Sequence, residues 1–544
     1  MNVAGARPLW SRLAVAGVAA ALVVERLCTL AAAPPTDFDD AYMFVRYADN
    51  LRGGFGMVWN RGGETVYGAT GLLHLGLVTA VRAIAPAWPD WRVLAVATLV
   101  AAVVAVAVAT AIVSRFASHA WLRGAPERAL LVVVATVAYS EAFVFHAGTG
   151  MDTMSALLAN GGVVLASLAL AARPTSRAAL ACALVGWLAV EARPDSVILA
   201  AGTPLLTILL SCGGSRRLLG WLAVPFALLV GASLAAKQHW LGSALPLAFF
   251  AKRPFAYGGF VGEYTWNPFW LLAVFGRAAA PLLVILVVGA RRRHARALAA
   301  LLLPVAATCA ALFSVNQVMG HLGRFYFPAL PALIAAAAAV SDGLWPLGVR
   351  ALATRATLAG VLLFGGSVAL DAAGRRYEAR AERQPLAELG GYTIAAAEPL
   401  PDEDSWRAAG EMAELAAAAP PGARLAMSEH GLVAARAPAA VIIDVIGLHD
   451  RWFARHRFTA AELFRRRPDL IWMPHPDYTQ MIRDILDSDD FWRDFDFYPD
   501  ALSFGVAVRR DGDAAAALRR LFAARFAADH PALRLDDHRA TRAR

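Results

Sequence analysis

The residues able to do chemistry gather in short polar segments between long apolar runs. The densest is PPTDFDDAYMFVRYADNLRGGFGMVWNRGGE, where Asp37, Asp39 and Asp40 stand within four residues just after an apolar stretch. Adjacent carboxylates repel, so at least one must have a raised pKa or sit beside a cation or a metal. Such a group suits a general base that draws a proton from a sugar hydroxyl, and Asp39 and Asp40 are the candidates. The competing role is a helix cap, because Asp ahead of AYMFVRYADNLR would stabilise that helix N-terminus. Asp152, in HAGTGMDTMSALL, poses the same choice between a binding role and an ordinary cap. Lysine is almost absent: Lys237 and Lys252 are the only two among 51 basic residues. Lys252 lies in LPLAFFAKRPF, where a compact ammonium could pair with a lipid phosphate or simply snorkel to the headgroups. In NQVMGHLGRFYFPALPAL, Arg324 could grip a phosphate bidentately or anchor at the interface, with His321 beside it as a polar loop residue or a member of the site.

These segments must be positioned by membrane helices. The chain of 544 residues is 58% hydrophobic and only 17% charged, which excludes an ordinary soluble protein. Apolar runs of bilayer-crossing length fall near 11–33, 91–114, 129–146, 153–172, 178–192, 195–211, 217–236, 266–290, 297–314, 325–342 and 356–371, which predicts about eleven spans. The stretch 67–87 is expected to lie on the membrane surface within a long first loop. Counting it as a span would invert the arginine pattern downstream. With the N-terminus inside, the cytoplasmic segments carry Arg7 and Arg12, Arg115 to Arg128, Arg173 and Arg177, Arg216 and Arg217, Arg291 to Arg296, and Arg350 and Arg355. The formal charge of +9 therefore reads as an orientation signal and not as a nucleic-acid-binding face, since the part beyond Ala372 is slightly acidic.

That part, 372–544, reads as a soluble α/β domain outside the membrane, with strands expected at RLAMSE, AAVIIDVIGL, DLIWMP and FGVAVRR, following a transmembrane domain over 1–371. The four cysteines all belong to the apolar part, so the tail has no disulfide framework. The histidines lack metal-site spacing, and neither a Walker loop nor GxGxxG is present. No cofactor is identified, while the neighbouring carboxylates leave a divalent metal open.

The order of an N-terminal span, DFDDAYMFVRYADNLRGGFGMVWNRGGE, GMDT, ARPD, LPLAFFAK and GRFYFPALPAL resembles the polytopic glycosyltransferases of the GT-C superfamily, which use polyprenyl-phosphate-linked sugars. The nearest likeness is to the branch containing the mycobacterial terminal arabinofuranosyltransferase, whose soluble-domain motif resembles AAVIIDVIGLHD. The resemblance implies a GT-C-like helical fold with a catalytic acid in the first outer loop, at Asp39 or Asp40, and a second acidic residue at Asp152. It further implies phosphate-binding cations at Lys252 and Arg324, and an acidic first-loop position at Glu64. The expected partners are a polyprenyl-phosphate sugar donor, with arabinose as one option, a cell-envelope glycan or lipid acceptor, and membrane lipid. The expected location is the bacterial cytoplasmic membrane with the chemistry on its outer face. LPLAFFAK keeps Pro246 but lacks the polar residue the family often has before the lysine. The rival expectation is a transporter or flippase of a lipid-linked glycan.

Overall fold

A computed structural model describes residues 9–31, 38–252, 267–315, 317, 319–344, 348–381, 402–476, 478–499 and 501–526. Asp37 and the chain end LDDHRATRAR lie outside them. Among the described residues, eight helices are long and apolar enough to cross a membrane: Ser11–Leu30, Asp90–Phe116, Thr153–Ala172, Pro194–Ser211, Arg216–Leu241, Arg292–Leu312, His321–Ala339 and Val349–Tyr377. Two sharply bent pairs, Pro126–Ala138 with Glu141–Gly148 (83°) and Pro268–Ala278 with Ala280–Gly289 (70°), raise the number to ten if each is one span. The expected run 178–192 is the 17-residue helix Ser176–Ala192, at the short limit for a bilayer core. Both bends have local causes. Ser140 starts a new helix by accepting a hydrogen bond from the Phe143 amide, and Pro281, within the first turn of Ala280–Gly289, brings no amide to continue the preceding ladder.

The apolar character of the bundle shows on its outside as well as inside. Val224, Leu228, Val361 and Phe364 are each more than half exposed, a surface suited to lipid. The stretch read as a surface element contains the helix Leu72–Ile84, whose 13 residues rise only about 20 Å, too short to span. Its His74, Leu75, Val78 and Val81 are buried in the protein.

The C-terminal region holds a five-stranded sheet: β1 (Arg424–Met427), β2 (Val441–Asp444), β3 (Leu470–Trp472), β4 (Phe495–Tyr498) and β5 (Val506–Arg509), in the order β2-β1-β3-β5-β4. β1 pairs in parallel with β2 and β3, while β5 runs antiparallel to β3 and β4. The four expected strands are present, and β4, in FDFYPD, is additional. Packing does not follow the sequence boundary at 371. One continuous core joins Phe38, Tyr42, Val45, Trp59, Leu75, Leu94 and Met151 to strand residues such as Leu425, Ile443 and Trp472.

That junction is made by the helix Asp39–Arg52, which lies against the short helix Gly431–Arg436. Arg46, 3% exposed, donates to the carbonyls of Trp59 (2.6 Å), Ala434 (2.5 Å), Ala437 (3.2 Å) and Ala440 (3.2 Å), and to Asn60 Oδ1 (2.9 Å). The Asn60 amide takes both backbone groups of Ile442, donating to its carbonyl and accepting from its N–H at 2.9 Å, so it occupies the open edge of β2. Close approach of the two parts requires glycine at Gly431, where a Cβ would stand 2.0 Å from the Asp39 carbonyl oxygen. It also requires glycine at Gly68, where a Cβ would strike His449 and Tyr47. Hydrogen bonds from a charged group contribute about 1.5–3 kcal/mol each. Arg46→Met should therefore cost roughly 3 kcal/mol or more and expose the C-terminal region, read as a lower Tm and faster limited proteolysis between the bundle and the sheet.

Candidate functional site

Asp39 opens the docking helix, yet its side chain does not cap that helix. Its two carboxylate oxygens accept from the amides of Gly431 (2.7 Å) and Leu432 (2.8 Å), at the start of the helix Gly431–Arg436. It is thus a cap delivered to a helix almost 400 residues away. Burial raises the Asp39 carboxyl, against the pull of those amides and of His430. Asp40, the next residue, turns elsewhere and accepts no hydrogen bond among the described residues. Its charge supports that of Lys252.

Asp152 precedes the helix Thr153–Ala172 without capping it. Its carboxylate instead meets Arg324 Nη2 at 2.9 Å and the Thr70 hydroxyl at 3.3 Å, with both Asp152 and Arg324 buried. Burial works to raise the Asp152 carboxyl, but the charges of Arg324 and Arg193 and the Arg324 hydrogen bond outweigh it and bring it down to about 2. His74, fully buried, holds the turn that presents Asp152 through the Gly150 carbonyl (2.9 Å) and the Ser155 hydroxyl (3.0 Å). Gly71 leaves room for it, since a Cβ there would lie 2.8 Å from Asp152 Cβ and 3.0 Å from the Ala192 carbonyl oxygen.

Lys252 follows the short helix Leu247–Ala251. Burial, with repulsion from Arg324 and Arg193, pushes its ammonium down to about 8, against the attraction of Asp40 and Asp152. The His321 ring stands edge-on to Phe38 at 5.5 Å and tilted to Phe145 at 6.2 Å, and Arg324 lies over the Phe38 ring at 5.7 Å. Phe38 thereby links the Asp39–Asp40 pair to the Asp152–Arg324 pair. Asp40, Asp152, Lys252, His321 and Arg324 thus come together where several helices begin or end. Glu64 does not join them. Its side chain is 56% exposed and pairs with Arg451 at 3.1 Å, part of the seam between the first loop and the sheet.

Two groups escaped sequence reasoning. Arg193 is 4% exposed beside the Asp152–Arg324 pair, and its only sequence signal is a charge inside ARPD between two apolar runs. The other group is His430, Asp444 and His449, all buried, with ligand-type atoms within 4.8 Å of one another. They could hold a metal ion, but most of the carboxylate is already engaged. Asp444 Oδ1 accepts from the Ile446 and Gly447 amides and lies 3.1 Å from His430 Nε2, and Oδ2 accepts from the His449 amide. His449 Nδ1 meets the Tyr47 hydroxyl at 3.0 Å, and its ring stacks on Trp59 at 3.8 Å. His430 and Asp444 pair within the sheet region, while His449, through Tyr47, ties that region to the docking helix.

Neither a known protein-family model nor a curated protein matches this chain.

Burial opposes the charge on His430, but Asp444, by charge and by hydrogen bond, and then Asp39 and Asp40 raise its pKa from 6.5 to about 9. A raised folded-state pKa stabilises fully below the unfolded value and ceases to do so as pH passes the folded one. The contribution, on the order of 3 kcal/mol, should be complete below about pH 6.5 and gone above about pH 9. Thermal melts across that range should show the Tm gap between the unmodified protein and His430→Gln closing as pH rises.

Proposed function

We propose that this chain is a membrane glycosyltransferase that moves a sugar from a polyprenyl phosphate to a cell-envelope acceptor at the outer face of the cytoplasmic membrane. The observation carrying this reading is the meeting of Asp40, Asp152, Lys252, Arg324 and His321 at helix ends beside a sheet domain. Such a place lets a lipid tail stay in the membrane while its headgroup meets fixed charges. The arginine-rich segments, read from the sequence as cytoplasmic, favour this orientation. The resemblance to GT-C enzymes agrees with the same assignment, with a pentofuranose such as arabinose as one option for the donor sugar.

Asp40 is the base in this mechanism. Asp39 has both oxygens committed to backbone amides, whereas Asp40 accepts no hydrogen bond among the described residues. The acceptor hydroxyl gives its proton to Asp40 and its oxygen attacks the anomeric carbon. The bond from that carbon to the phosphate oxygen breaks on the opposite side, so the configuration inverts and polyprenyl phosphate departs. Lys252 and Arg324 neutralise the charge that develops on the leaving phosphate, which is worth most where water is excluded. Asp152 holds Arg324 in place.

The two bent helix pairs favour a second reading, a flippase of a lipid-linked glycan, since broken helices often line transport paths. Proteoliposomes carrying a radiolabelled polyprenyl-phosphate sugar separate the two, with label moving to acceptor in one case and across the bilayer in the other. In that assay Asp40→Asn should lower turnover about 10²- to 10⁴-fold with its melting temperature unchanged. Asp39→Asn should instead lower the melting temperature and loosen the sheet domain, while the molecules that stay folded keep turning over. Full turnover by Asp40→Asn would remove Asp40 from the mechanism.

A further inference from the structure

Two buried guanidinium groups near Asp152 are each satisfied on one side only. Arg193 donates from Nε and Nη2 to the two oxygens of Asp195, at 3.1 and 2.5 Å, while its buried Nη1 has no partner among the described residues. Arg324 donates from Nη2 to Asp152, while its buried Nε has no partner among them either. Both lie over the same ring, Phe325, at 5.0 and 5.7 Å from its centroid. An unmet N–H on a buried cation is costly. A pair of them around one aromatic ring marks a place that an anion with several acceptor oxygens would complete. Asp195 fixes the Arg193 fork from behind, so the free edge is held in position before any ligand arrives.

We propose that Arg193 is a binding residue for a phosphoryl group, its Nη1 and Arg324 Nε donating to different oxygens of one phosphate. This rests on the glycosyltransferase reading, to which it adds a third cation beside Lys252 and Arg324. A sugar phosphodiester has two non-bridging oxygens and a single charge. Cleavage at the anomeric carbon turns the former bridging oxygen into a third acceptor and adds a second charge. Three cations match the product phosphate better than the donor, so the third contact strengthens as the bond breaks.

Full-length protein in lipid nanodiscs is titrated with decaprenyl phosphate and, separately, with decaprenol and with inorganic phosphate. The expected result is that Arg193→Gln weakens decaprenyl phosphate binding at least tenfold, weakens inorganic phosphate binding in the same direction, and leaves decaprenol binding unchanged. Arg193→Lys, which keeps the charge but not the planar fork, should recover part of the loss, a graded response that a purely structural role would not give. Because decaprenol binding reports an intact bundle, a misfolded variant identifies itself by losing both lipids. Arg193→Lys then carries the test, and its binding decaprenyl phosphate as tightly as the unmodified protein overturns the proposal. If the unmodified protein binds decaprenyl phosphate and folded Arg193→Gln binds it equally well, Arg193 is not a phosphate ligand and the glycosyltransferase reading stands. If the unmodified protein prefers decaprenyl phosphate no more than decaprenol, both fall together.

Discussion

Everything around the candidate site depends on how one short helix satisfies the backbone of a region far along the chain. Arg46 reaches three carbonyls in the segment 434–440, Asp39 meets the amides of Gly431 and Leu432 just ahead of it, and Asn60 takes the edge of β2. Backbone groups at the end of a short helix and at a sheet edge must find partners when they are buried. Here the partners are side chains from the first loop. The sheet therefore cannot complete its own polar groups unaided, and the helix Asp39–Arg52 is fixed between the sheet on one side and Arg82, paired with Asp49, on the other. Successive helix residues point about 100° apart, so fixing Asp39 against Gly431 and Leu432 also fixes the direction of Asp40.

A second constraint is electrostatic. Arg324, Arg193, Asp152 and His74 are all buried, and each removes charge or polarity from water at a cost that pairing only partly offsets. Replacing such a group with apolar side chains would often stabilise a fold. Its place among helix ends, with donor atoms left over, suits a role in binding better than a role in stability. The His430–Asp444 pair is the contrast, because its carboxylate is engaged by three backbone amides and the neighbouring ring, all within the sheet region.

The legible parts of the sequence were those where a single residue stands out against its surroundings. Each apolar run marks a helix or a bent pair, because run length is set by bilayer thickness. The bends were less visible, since a π-turn ahead of Ser140 leaves no compositional trace. Asp152, Lys252 and Arg324 could be found because a charge beside a long apolar run has few cheap explanations. Arg193 has the same property, but ARPD separates two short runs and looks like a connector. Asp39 was visible as a cap or a base, and which helix it caps was not, because that partner is a matter of tertiary docking. His430, Asp444 and His449 have no local spacing rule to reveal them, and β4 is hidden in an acidic, aromatic stretch that favours no single secondary structure.

The tie between Asp39 and Leu432 spans 393 positions. A ribosome therefore releases the first loop and all the apolar helices well before residues 431 and 432 exist. Until they do, the helix Asp39–Arg52 is held at Asp49 by Arg82, while Asp39 and Arg46 lack their C-terminal partners. The Asp152–Arg324 pair needs only residues made by then, whereas the seating of Asp39 waits for the C-terminal region. A chain cut short before residue 431 would therefore hold its apolar helices without the anchors that Asp39 and Arg46 find in the C-terminal region.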